Sequence, residues 1–82
     1  MKLDLEKTRQ VVERALHSAQ QGERGGVRVH CRAAEKLLKG VKTPPGPEVL
    51  QKVHHASTAI ETSLAVKDLE QALDLLGAGT QT

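Results

Sequence analysis

The longest ordered pattern of apolar positions lies between Pro47 and Leu76, PEVLQKVHHASTAIETSLAVKDLEQALDLL. Val49, Leu50, Val53, Ala56, Ile60 and Leu64 recur mostly at steps of three and four, and Leu69, Ala72, Leu73 and Leu76 resume that spacing. Such spacing gathers side chains on one side of a helix and leaves an apolar stripe that needs cover. A strict repeat continued from Ile60 turns Ser63 and Lys67 inward, so the stripe slips phase near Ala65. The pattern predicts a bend there, with helices over about 47–63 and 67–76 in preference to one long helix. Pro47 suits the first position of a helix, and Glu48 sits well against the positive end of its dipole.

Upstream segments supply the cover. Leu5, Thr8, Val12, Ala15, Leu16 and Ala19, with Val11 beside them, predict a first helix over about 4–21, opened by Asp4 as N-cap and ended by Gly22 in the left-handed conformation. QGERGG (21–26) reads as a loop, because two adjacent glycines cost a helix about 1 kcal/mol each relative to alanine. A second helix follows over about 27–39, with Cys31, Ala34, Leu37, Leu38 and Val41 on its buried side and Gly40 closing it. The three prolines of VKTPPGP (41–47) mark the sharpest boundary in the chain, since they remove backbone donors and hold extended or turn geometry. Short connections make neighbouring helices antiparallel. The fold class read from the pattern is therefore all-α, a small antiparallel bundle of three or four helices forming one domain over 1–77, with 78–82 as a flexible C-terminal tail. The expected core is Leu5, Val12, Leu16, Leu37, Leu38, Val53, Ile60, Leu64, Leu69, Leu73 and Leu76.

Composition adds a constraint. The chain has 82 residues and no aromatic side chain, so its core comes from eleven Leu, eight Val, one Ile and alanine. Aromatic rings bury roughly 150–250 Å² each, and domains of this size hold only a few kcal/mol in reserve without them. A single cysteine excludes an internal disulfide, and no spacing for a four-ligand zinc site is present. Association is the remaining remedy, and a homo-oligomer, most simply a dimer, is expected. Leu75 departs from the inward pattern beside Leu76 and is expected at an intermolecular contact. One cysteine suits a reducing cytoplasm. No apolar run approaches the roughly 18–20 residues that cross a bilayer, and no signal-peptide core follows Met1, so the expectation is a soluble, cytoplasmic chain without a membrane partner.

The net charge of +2 conceals two blocks of opposite sign. Between Arg24 and Lys42, six cations stand against Glu35 alone; between Glu61 and Asp74, four acids stand against Lys67 alone. Arg24, Arg28, Arg32 and Lys36 are spaced by four, so neighbours sit on adjoining turns of one face. Such a row can neutralise successive phosphates of a nucleic acid. Against this, no aromatic residue is available to stack on bases, and the proline loop is longer than the turn of a helix-turn-helix. A solvated face, or one that answers the acidic last helix within the fold or between copies, is the preferred reading.

His30-Cys31 and His54-His55 carry the remaining chemical suggestion. Adjacent helical residues point about 100° apart, so one member of each pair can face a shared site. Cys31 with His54 or His55 would suit zinc, copper or nickel, a third-ranked metal-sensor reading. Small all-helical metal- and formaldehyde-sensing repressors share the size and the helical cysteine with a later histidine. VKTPPGP interrupts the single helix that such a site needs, and no second cysteine follows. EKLLKG (35–40) stands near the His-x-Leu-Lys-Gly run of histidine phosphotransfer domains, but Lys36 occupies the place of the phosphorylated histidine. Ser57 and Thr58 beside His54 and His55 read as helix residues bonded to carbonyls one turn earlier, with no oxyanion site or phosphate loop in view. The expected function is a non-enzymatic helical interaction or adaptor module that self-associates, without a cofactor. The alternative is a nucleic-acid-binding regulator using Arg24, Arg28, Arg32 and Lys36.

Overall fold

A computed structural model describes residues 3–77 as four helices: α1 (Leu5–Gln20), α2 (Arg24–Leu38), α3 (Gly46–Ser57) and α4 (Thr62–Leu75). The tail expected at 78–82 lies outside the described residues. No strand occurs among the described residues, and none of their helices is long and apolar enough to cross a membrane. The all-α bundle read from the pattern is the fold, in its four-helix form.

Each helix buries residues at alternating steps of four and three. The sets are Thr8, Val12, Ala15 and Ala19 in α1, Val27, Cys31, Ala34 and Leu38 in α2, Val49, Val53 and Ala56 in α3, and Ala65, Leu69, Ala72 and Leu76 in and just after α4. This average step of 3.5 keeps a narrow seam facing one way, as in four-helix bundles. The third seat of the seam is alanine in every helix. Each helix packs on two neighbours, α1 on α2 and α4, α3 on α2 and α4, while α2 and α4 barely meet across the diagonal. The four seams meet in one core cluster.

The ends of α1 follow the sequence. Asp4 Oδ1 accepts a hydrogen bond from Lys7 N at 3.1 Å, satisfying one orphan donor of the first turn. At the other end Gly22 takes φ +73°, while Glu23 N bonds Ser18 O and Gly22 N bonds Ala19 O. This is the paired closure in which a left-handed residue returns two donors to the last turn, and only glycine takes that φ without strain.

Two boundaries differ from the sequence reading. α2 starts at Arg24 rather than Val27 and runs through Gly25-Gly26, with Val27 N already bonded to Glu23 O. The reason is a close crossing: a Cβ on Gly26 would stand 2.5 Å from Ser18 Oγ, so the missing side chain lets α2 approach α1. The second difference lies in the long stripe. α3 ends at Ser57, not 63, and α4 begins at Thr62, not 67, so the break is at 58–61 instead of near Ala65. Ala56 and Ala65 are nine residues apart, which rotates a continuous helix by about two and a half turns and would set them on opposite sides. A break between them is required to bury both. Ser57 and Thr58 mark it by turning their hydroxyls back on the last carbonyls of α3, and Glu61 then takes an extended conformation ahead of α4.

The shifted break corrects the expected core. Val12, Leu38, Val53, Leu69 and Leu76 are buried, and Leu16, Leu37 and Leu73 are half-buried. Leu5, Ile60 and Leu64 are exposed at 50%, 77% and 49%. Ile60 falls in the turn after α3 has ended, and Leu64 belongs to the new phase of α4, off its seam. Leu5 sits at the first position of α1, where Leu3 packs against the core in its place. Thr8 is fully buried and its Oγ1 has no hydrogen-bond partner among the described residues.

Candidate functional site

The side of α2 turned from its seam carries three of the chain's twelve Lys and Arg side chains, Arg28, Arg32 and Lys36. Gly25, Arg28, Val29, Arg32, Ala33 and Lys36 are all exposed there, and Val29, pointing away from the core, is 66% exposed. A step of four overshoots a helical turn by about 40°, so the row from Arg24 to Lys36 winds round the helix rather than running straight along it. Arg24 consequently lies on the flank beside α3, where its guanidinium donates to the carbonyl of Ile60 in the α3–α4 turn. Arg24 is thus a tie between α2 and that turn. Arg28 and Arg32 follow it outward, and Lys36 completes the row.

Arg28, Arg32 and Lys36 make no ion pair or side-chain hydrogen bond among the described residues. The one Arg–carboxylate pair there is Arg9 with Glu6 at 2.7 Å within α1, and two imidazoles approach carboxylates, His54 Nδ1 to Glu35 Oε2 at 3.7 Å and His55 Nδ1 to Asp68 Oδ2 at 2.7 Å. The acidic last helix therefore does not answer the basic row within the chain, because α2 and α4 stand on the diagonal. Arg28 and Arg32 also border an open cleft of about 520 Å³ with Glu35, His54, Ser57 and Thr58. No known protein family, curated protein or solved structure matches this chain.

The cleft offers little chemistry of its own. Ser57 Oγ donates to His54 O at 2.7 Å, and Thr58 Oγ1 donates to the carbonyls of His54 and His55 at 3.2 Å. Both hydroxyls are directed to backbone as the sequence suggested, and neither is bonded to an imidazole nitrogen. His54 faces Glu35 on α2, and His55 faces Asp68 on α4, so the pair braces α3 from both sides. The His55–Asp68 contact gave no signal in the sequence, since their thirteen-residue separation becomes meaningful only once the break at 58–61 is known.

The structure does not bring Cys31 together with His54 or His55. The thiol is fully buried in the seam of α2 while both imidazoles are exposed, and no group of three or more His, Cys, Asp or Glu able to hold a metal occurs among the described residues. Burial, reinforced by the carboxylate of Glu35, pushes the Cys31 thiol up to about 12. The thiolate needed for a soft-metal ligand is therefore suppressed at neutral pH. An unfolded thiol titrates near 9.0, so above that pH the unfolded chain releases a proton that the folded chain keeps. This contribution to stability is complete below pH 9 and declines as pH rises toward 12. Urea midpoints of the native chain are expected to fall between pH 8 and 11 more steeply than those of Cys31→Ala. Parallel slopes for the two chains would contradict the buried, protonated thiol.

Leu75 is 39% exposed and lies on the same side of α4 as Leu64, eleven residues or about three turns earlier.

Proposed function

We propose that this chain is a non-enzymatic helical interaction module that associates with copies of itself through its outward helix faces. The observation that supports it is the outward row of α2. Arg28, Arg32 and Lys36 surround an exposed Val29, and none of the three cations is neutralised among the described residues. Unpaired cations around an apolar centre form the kind of patch that becomes favourable when a partner covers it, because contact with a complementary charge both steers and orients association. The core adds to the case. Its largest fully buried side chains are Leu38 and Leu69, with valines, a threonine and a cysteine following, so further burial between copies supplements a small interior. The reducing cytoplasm is the compartment that suits its free, buried Cys31.

A second reading gives the same row to nucleic-acid phosphate, and the one-turn spacing of three unpaired cations favours it. It has lost one member, since Arg24 is occupied by the Ile60 carbonyl. Light scattering coupled to size exclusion, at low and high salt over a range of concentrations, separates the two. Self-association predicts a mass that rises with concentration in the absence of nucleic acid. A chain that stays monomeric throughout, yet is retained with RNA or DNA on a filter in a salt-sensitive manner, would reverse the order of the readings.

A further inference from the structure

Resting on the self-association proposed above, we infer that copies of this chain join head to tail, the outward face of α2 in one copy seating on the outward face of α4 in the next. The two faces are complementary. α2 presents Arg28, Arg32 and Lys36 around Val29, and the neighbouring acid on that helix, Glu35, is half-buried and turned to His54. α4 presents Glu70 and Asp74, both exposed and without an ion pair or side-chain hydrogen bond among the described residues, against Lys67 as the cation of that helix. Leu64 and Leu75 are also exposed on α4, about a quarter turn or more round the helix from those carboxylates, and add apolar surface at the edge of the face.

Their placement decides the symmetry. α2 and α4 occupy opposite corners of the bundle and their outward faces point away from each other. A closed two-fold dimer sets one patch against its own copy. Pairing α2 with α2 would oppose three cations to three, and pairing α4 with α4 would set Glu70, Asp74 and Lys67 against the same net-negative set, a poorer match than the three cations of α2. Both faces cannot enter a single two-fold contact from opposite sides of the molecule. The complementary contact is therefore heterologous, and it repeats: every copy that uses its α2 face still offers its α4 face. The product is an open chain of copies or a ring, in place of the simple dimer expected from the sequence. Because exposed charges steer the contact, it weakens with salt.

Two variants test this, each altered on one face at exposed positions. The first carries Arg28→Glu and Arg32→Glu, and the second carries Glu70→Gln and Asp74→Asn. At low salt the native chain is expected to grow beyond two copies as concentration rises, and each variant alone is expected to elute as a folded monomer with native helical circular dichroism. An equimolar mixture should give a species of two copies, one of each variant, and nothing larger, because a single matched contact remains. A native chain that forms a dimer and no more, insensitive to both variants, would overturn the head-to-tail arrangement while leaving self-association in place. Monomeric variants that fail to combine would overturn it as well. A native chain that is monomeric at every concentration and salt would overturn the inference and its parent together, and retention of that monomer on RNA would assign the α2 face to phosphate.

Discussion

Leu69→Ala is expected to lower the melting temperature by more than about 10 °C, or to leave the chain unfolded at room temperature. Leu69 is fully buried in a core cluster made mostly of alanine and valine, short side chains that cannot extend to refill the space. Truncating a buried leucine costs about 2–5 kcal/mol through lost transfer energy and the cavity left behind. A single core of this size holds about 3–5 kcal/mol in total, so the substitution removes most or all of it. Each kcal/mol corresponds to roughly 4–8 °C in a domain of 60–100 residues. Leu75→Ala, at a 39% exposed position on the same helix, is expected to stay within about 0.5 kcal/mol of the native chain in dilute solution. Thermal melts followed by helical circular dichroism read both. Equal losses at the two positions would show that the seam of α4 is misplaced.

The second large effect runs against helix propensity. Gly25 and Gly26 are neighbours in the first turns of α2, and alanine at either position should favour the helix by up to about 1 kcal/mol. Nothing lies within 4 Å of a Cβ built on Gly25, so Gly25→Ala is expected to stabilise the protein by about 0.5–1 kcal/mol. At Gly26 the same methyl meets Ser18 Oγ at 2.5 Å and Ser18 Cβ at 2.9 Å. Gly26→Ala must push α2 away from α1 and is expected to cost about 1–3 kcal/mol, the range for overpacking. Since the clash belongs to one pair, Ser18→Gly in the same chain should recover part of the loss, and a double-mutant cycle in urea measures that coupling. If both alanines stabilise alike, the close crossing of α1 and α2 is wrong.

These two residues also show where the sequence was readable. Asp4 and Gly22 were legible because capping chemistry is local: the first needs a carboxylate near three free donors, and the second needs a left-handed residue after the last turn. The start of α3 at the proline cluster was legible for the same reason, and it came within one residue. Gly26 was not, because its value lies in Ser18 across the crossing, and a glycine pair viewed alone looks like a loop. The break at 58–61 was half legible. The phase slip between Ala56 and Ala65 requires an interruption, but the hydroxyls of Ser57 and Thr58 that close α3 are also compatible with a continuing helix. Placing the break too late drew Ile60 and Leu64 into the expected core. At the candidate surface, spacing by four identified the cationic row, yet the drift of that row round the helix and the capture of Arg24 by Ile60 depend on where α3 ends.

Alanine in the third seat of all four seams bears on how this chain can change over generations. Ala15, Ala34, Ala56 and Ala72 are each 2% exposed or less. Glycine at any of them loosens a helix, and a larger residue wedges two helices apart. Four evenly spread positions are thus closed to ordinary drift, while Val29, Ala33 and their charged neighbours stand in water and accept substitution without disturbing the seam. Variation is channelled outward, and descendants of this sequence can remake their surface long before they can exchange their architecture.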